Sequence, residues 1–361
     1  MRKIILLLTI MIFLVMGCQK QQNIEQDPST IQEVLHVEQF IQQHLLNDNG
    51  QLQTNITNRQ NEYLSESLGL WMDYLRLKND YVQFDQQVNV LKKFFLTTDH
   101  LVIWELQGKN AAPANAFIDD LRIIDVLYQA AEQWGNDSYT KLANKMSQAL
   151  ATYQTQDHLM VDFIELKDKH QGQDVTISYI IPSGLDEMAN RKLIPTATYD
   201  AMKNLLRDAP FSTSNFFPKA YHLPTKEFIY DEDINMIDQF YVAYHRAQWG
   251  MDIEPFIQFT KETFEQYDGV LYGRYAHDTK KPIVDYESVA VYALAILTML
   301  EVDEDDFAKE LFHKMKTLQV QDKQSIYAGG YIDAASKETH SFDNLLALIA
   351  ERTGKDQDLF E

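Results

Sequence analysis

The sequence predicts an all-α fold, a closed toroid of helical hairpins with one small β-hairpin inserted. Three observations predict it. Apolar residues recur at helical spacing through eleven stretches, and strands do not alternate with helices as a doubly wound sheet would require. No Pro- or Gly-rich boundary divides the long segment that follows the N-terminal region. A fixed-period repeat is also absent, so a closed ring is favoured over an open solenoid.

Taken in order, the chain begins with Arg2 and Lys3, an uncharged apolar run from Ile4 to Met16, then Gly17 and Cys18. A basic start, an apolar run of about 13 residues and a small residue before a cut read as an export signal. The run is too short for a membrane span of about 20 residues. Cys18 is the only cysteine. The stretch Leu14-Val15-Met16-Gly17-Cys18 resembles a bacterial lipobox, which implies a signal peptide over 1–17 and lipidation of Cys18. The polar stretch 18–29 reads as a tether, and 30–361 as one domain. The expected location is the outer face of a bacterial cell membrane.

Thr30 and Glu33 suggest a capping box, with Val34, Val37, Phe40, Ile41 and Leu45 on one helical face behind it. Further amphipathic stretches cover 62–78, 81–96, 117–134, 138–153, 198–208, 233–249, 254–266, 286–300, 304–318 and 340–352. A twelfth, weaker one spans 184–192. Asn79-Asp80, Gly135-Asn136, Gly250 and Gly354 stand where helices should end. Runs at 158–166 and 174–181 alternate in the manner of strands and are predicted to pair as the hairpin.

Composition narrows the function. The 361 residues carry 32 Lys+Arg against 53 Asp+Glu, a formal charge of −21, which argues against a nucleic-acid partner. With 45% hydrophobic residues the chain can build a large core. One cysteine allows neither an internal disulfide nor a Cys-rich zinc site. GxGxxG, Walker A, GxSxG and HExxH motifs are missing. Asp231-x-Asp233-x-Asn235 opens like a calcium loop, but Met236 and Val242 occupy positions that need Gly and Glu.

What remains is carboxylates among aromatics at three helix starts. Glu66, in Tyr63-Leu64-Ser65-Glu66-Ser67-Leu68-Gly69-Leu70-Trp71, falls in a first turn whose dipole favours its charged form. It caps the helix, or it serves as a general acid if desolvation outweighs the dipole. Asp119 and Asp120 follow Trp104-Glu105 and head another apolar helix, where they can cap it, bind sugar hydroxyls, or both. Asp231, Glu232 and Asp233 follow Phe228-Ile229-Tyr230 at a third start, as a solvated acidic terminus or as site residues.

The three stretches together resemble glycoside hydrolase family 8. That family places its acid in S-E-G-x-G-Y-G, and Ser65-Glu66 and Gly69 keep part of it. Its A-T-D-A-D-L-D-I-A element is echoed from Ala116 to Leu127, with Asp120 on the second Asp. Its base lies in F-G-Y-D-A-I-R-x-P, and Phe228, Tyr230 and Asp231 match the Phe, Tyr and Asp. Ser178-Tyr179 and Pro182 resemble a P-S-Y element. Ser67, Arg122 and the missing Arg after the base depart from the pattern.

The resemblance implies an (α/α)6 barrel and an inverting, metal-free, cofactor-free endo-hydrolase of polysaccharide, expected as a monomer. Glu66 would be the acid and Asp231, or else Asp233, the base. Asp119 and Asp120 would hold the distorted sugar, and Tyr63, Trp71, Trp104, Tyr179 and Tyr230 would offer stacking surfaces, each of which can equally be core. The expected substrate is the producer's own exopolysaccharide or biofilm matrix. The alternatives are a glycan-binding surface lipoprotein that has lost the chemistry, and another (α/α)-barrel uronide hydrolase or lyase.

Overall fold

The computed structural model describes residues 31–360, so the expected signal peptide and tether, with Cys18, and Thr30 lie outside the described residues. Twelve helices are described. They are α1 (His36–Phe40, running on as a π-helical turn Ile41–Leu45), α2 (Ser65–Leu77), α3 (Tyr81–Val90, running on as a π-helical turn Leu91–Phe95) and α4 (Phe117–Trp134). Next come α5 (Asp137–Tyr153), α6 (Pro182–Asn190), α7 (Thr196–Asp208) and α8 (Met236–Gln248). The last four are α9 (Glu254–Gln266), α10 (Val289–Glu301), α11 (Asp305–Thr317) and α12 (Ser341–Asp356). None of these is long and apolar enough to cross a membrane.

The even-numbered helices form the inner ring. α2 packs on α4, α4 on α6, α8 on α10, α10 on α12, and α12 returns to α2. At the remaining seam a single 3-10 turn, Ile177–Tyr179, packs against α8. Position in the ring explains the residue pattern. Inner α10 buries every residue from Ala290 to Leu300, whereas outer α11 buries only Phe307, Ala308, Leu311, Phe312 and Met315, one stripe at helical spacing. Outer helices α3, α5, α7 and α11 each pack against the inner partner beside them in the chain.

Turns of one kind lead from an outer helix back to the ring. After α1, the Asn47 side chain accepts the backbone N–H of Gln51 at 3.0 Å. After α3, Thr97 Oγ1 does the same for Leu101 at 3.1 Å. The repeat is structural, carried by different residues, which is why the sequence conceals it.

Four expectations are corrected. The capping box at Thr30–Glu33 does not start a helix, which begins instead at His36 behind Leu35; Val34 is exposed, while Val37, Phe40, Ile41 and Leu45 are buried as predicted. The helical pattern at 62–64 and 233–235 belongs to short strands, Glu62–Leu64 against Glu105–Gln107 and Asp233–Asn235 against Arg274–Ala276. Segments 162–165 and 170–174 do fold back on each other, but the regular ladders lie elsewhere: Leu159–Met160 pairs with Thr155–Gln156, and Asp174–Thr176 with Ala220–His222. Finally, Gly354 sits inside α12 rather than at its end. A Cβ there would come within 2.1 Å of the Phe360 ring, so this glycine admits a close packing contact. Gly135, at φ 64°, does end α4 as predicted.

The first described residues attach at the C-terminal ends of α2 and α12. The Gln32 N–H donates to the Lys78 carbonyl at 3.1 Å, and Arg352 donates to the Gln32 side chain at 2.5 Å. The acids predicted at 66 and 119 lie at the opposite ends, in the first turns of α2 and α4.

Candidate active site

Glu66 is the second residue of α2 and is half-buried. Its carboxyl is pushed up to about 8, first by burial, then by the negative charge of Asp119, against the opposing pull of Arg122. Asp343 raises it further and Arg59 lowers it. The helix dipole, which would keep this carboxyl charged, is outweighed by desolvation. At neutral pH Glu66 carries a proton.

Asp119 is the third residue of α4 and sits beside it. Its carboxylate accepts from Ser65 Oγ at 2.7 Å, from Arg122 Nη1 at 3.0 Å, and from the Glu66 backbone N–H. Burial pushes Asp119 upward too, but Arg122 and these donors favour its charge. Glu66 has no such set of donors. Of this coupled pair the proton therefore rests on Glu66 and the charge on Asp119.

Arg122, where the family pattern has an acid, is thus the counter-ion of Asp119, and it also donates to the Tyr241 hydroxyl at 3.5 Å. It lies across α2 at Gly69, where a Cβ would meet Arg122 Cδ at 3.1 Å and Ile123 Cγ1 at 3.3 Å. Gly69→Ala is expected to lower stability by about 1 kcal/mol, because overpacking outweighs the helix-propensity gain. Denaturant unfolding measures that. By easing Arg122 away it should also move the Glu66 ionisation to higher pH, read from the alkaline limb of a pH–rate profile. Ser67, which replaces the family's Gly, hydrogen-bonds Ser341 Oγ at 2.8 Å and ties α2 to α12.

Asp120 is a correction. It is fully buried, accepting from the Val102 N–H and from Asn115 Nδ2, both at 3.0 Å, and so anchors the 102–115 loop instead of facing a sugar. Asn115 cannot turn its amide over, since its oxygen accepts from the Ile164 N–H at 2.7 Å. Asp120→Asn would set an NH2 group against a donor. It is expected to cost about 1–3 kcal/mol of stability while leaving kcat unchanged, checked by thermal unfolding beside an activity assay.

On the other side of the ring, a polar pocket of about 240 Å³ is lined by Lys219, Asp231, Glu232, Asp233, Asn235, Asp238 and Arg274. Asp231 is ion-paired with Lys219 at 3.3 Å. Asp233 lies on the short strand and is exposed, as is Glu232. Asp238 is the residue that sequence reasoning missed. It is the third residue of α8, the position Asp119 holds on α4 and Asp343 on α12. Asp238 accepts from Ser178 Oγ at 3.2 Å and from Asn235 Nδ2 at 3.1 Å. Burial raises its pKa, with Lys219 opposing and Asp231 adding to the rise. The detectable signal was the Asn235-x-x-Asp238 spacing of a helix cap.

Tyr179 links the two sides. Burial pushes its hydroxyl well up, and the fields of Asp162, Asp119, Asp238 and Glu66 all add to that. The hydroxyl is a neutral donor within electrostatic reach of acids on α2, α4 and α8.

The other aromatics divide. Trp104 is 37% exposed, and its carbonyl accepts the Ser65 N–H at 3.0 Å, which fixes it beside the start of α2. Tyr63 is half-buried, its hydroxyl accepting from Asn47 at 3.0 Å. Tyr230 donates to the Pro210 carbonyl at 2.6 Å and packs edge-on against His277. Trp71 is fully buried and stacked on Tyr74, so it is core and no platform.

The ring of paired helices defines the class by its fold, which solved family 8 glycoside hydrolases share. Its fold is shared with a family 8 endoglucanase, Cel10 of Klebsiella pneumoniae, at TM-score 0.63 and 14% identity, covering 89% of this chain and 99% of that one. A novel α-amylase from Clostridium perfringens has TM-score 0.81 and 24% identity, covering 87% and 95%. PssZ from Listeria monocytogenes has TM-score 0.74 and 26% identity, covering 88% and 94%. Within that class the chain belongs to the family of "Putative lipoprotein YdaJ" of Bacillus subtilis (strain 168), with 38% identity over 341 residues, 93% of this chain and 92% of that protein. No protein-family model matches the chain.

Proposed function

We propose that this protein is an endo-acting, inverting glycoside hydrolase, held by a lipid on Cys18 at the outer face of a bacterial membrane. It cuts a polysaccharide of the producer's own matrix. The observation that carries this reading is Glu66 beside Asp119, its carboxyl raised by burial and by that neighbour, with Asp238 on the other side of Tyr179. Inversion needs one carboxyl to protonate the leaving oxygen and another to activate water on the opposite face, about 6.5–9.5 Å apart. Glu66 is suited to the first task. Asp238 is suited to the second, with Asp231 beside it in the same pocket and Asp233 at its exposed rim. Asp119 and Arg122 fix the charge against which a sugar is held, and Trp104 offers a stacking face.

The relative, named a lipoprotein, supports lipid attachment, and the similar solved structures, an α-amylase and an endoglucanase, support a glycan substrate. The overall charge of −21 favours a neutral or cationic polymer over an anionic one. The test uses residues 19–361 with the producer's exopolysaccharide, starch, hydroxyethylcellulose and xylan. New reducing ends with wild type but not with Glu66→Gln are expected, the first-formed anomer being the inverted one by NMR. No release from any polymer would leave the glycan-binding lipoprotein as the reading. Release accompanied by new double-bond absorbance would indicate a lyase.

A further inference from the structure

Away from the acids, a groove of about 480 Å³ lies between the 46–50 turn and outer helix α3. Its lining is unusual in a chain this acidic. Amide side chains, from Asn49, Gln83, Gln86, Gln87 and Asn89, stand among the apolar Leu46, Val90 and Phe94, while Asp48 and Lys93 balance each other in charge. The catalytic pocket, by contrast, is lined mostly by ionic groups.

Two observations mark the groove as a built site. Gln87, one of the lining residues, is only 4% exposed, and its side-chain oxygen is buried without a hydrogen-bond partner. A buried acceptor left unpaired costs about 1–3 kcal/mol, which a ligand donor would recover. The turn is also pressed onto the helix. Gly50 has φ 80°, and a Cβ there would meet Val90 Cγ2 at 3.1 Å, so a bulkier residue would force the wall away.

Each amide both donates and accepts, as a sugar hydroxyl does, and none depends on charge. The polar atoms offered are mainly side-chain amides, on α3 and on the turn. A peptide strand would call instead for an open backbone edge. The groove is also close to the catalytic mouth, since Asn47 in its turn donates to Tyr63, three residues before Glu66.

We propose that this groove is a second, non-catalytic site that binds a neutral polysaccharide chain and holds it near the cleavage site. The proposal rests on the hydrolase reading for its purpose, but its binding readout does not need turnover.

The experiment is native electrophoresis of the Glu66→Gln protein through gels containing hydroxyethylcellulose, soluble starch or arabinoxylan. Two variants are compared on that background: Asn49→Ala with Gln86→Ala, both exposed side chains, and separately Gln87→Leu. At least one polymer should retard the parent, and each variant should weaken that retention about fivefold or more, the effect of one or two lost hydrogen bonds. Thermal unfolding confirms that the double variant is folded, and in the active protein it should cleave short oligosaccharides normally while losing efficiency on polymer. The proposal is overturned if no polymer retards the parent, or if the double variant is held as strongly. Failure of the hydrolase reading looks different, as wild type would release no reducing ends while retention and its loss in the variants persisted.

Discussion

Glu66→Gln is expected to lower kcat by about 10²–10⁴-fold, the usual contribution of a positioned general acid, with substrate binding retained. Glutamine keeps the shape of the side chain and removes only the proton to be donated. The pH dependence gives a second readout. In the wild type, activity should fall as pH rises through about 8, where Glu66 loses its proton. Whatever residual rate the variant has should lack that limb.

Stability carries the same signature with a defined sign. The folded pKa of Glu66 lies above the ordinary glutamate value, so its contribution to stability is full below pH 4.5 and is lost as pH rises through about 8. Thermal midpoints should therefore shift in favour of Glu66→Gln across that window, and level off above it. A variant as active as wild type, or an alkaline limb that survives the substitution, would remove Glu66 from the acid role.

Asp238→Asn is expected to cost a similar factor, on the order of 10²–10⁴ in kcat. Asp231→Asn is expected to cost less than about tenfold. The contrast follows from their surroundings. Asp231 is already paired with Lys219 and is partly open to solvent, so its carboxylate is tied to that cation. Burial raises the pKa of Asp238, and its two partners are neutral donors that orient it. Parallel pH–rate profiles of the two variants measure this. The acid limb of wild type should lie above the ordinary aspartate range and vanish in Asp238→Asn alone. The opposite ranking would assign the base to Asp231.

Much of the architecture was legible because an inner or outer helix must show the ring its apolar stripe, and that period survives in the sequence. The helices at 117–134 and 254–266 lie where their spacing puts them. Elements of two or three residues leave no period to read. The strands Glu62–Leu64 and Asp233–Asn235 were absorbed into the helices behind them, and the partners of 159–160 and 174–176 depend on ladders that local pattern does not encode.

That error in helix starts fell on the site as well. With α8 expected from residue 233, attention stayed on Asp231 and Asp233, whereas the true first turn carries Asp238. Glu66 was legible because Ser65 begins its helix and the acid follows at once. The difference between Asp119 and Asp120 was not legible, since adjacent residues on a helix point about 100° apart and only packing decides which one meets the loop.

The staple joining Gln32 to Lys78 and Arg352 bears on how a lipid-held molecule would stand. On the proposed lipid attachment at Cys18, the domain would be held from the end that carries Gln32, Lys78 and Arg352, with the first turns of α2 and α4 facing away from the bilayer. Polymer would then be met from the surroundings, like a net cast from a mast, and strands lying flat against the lipid would be out of its grasp.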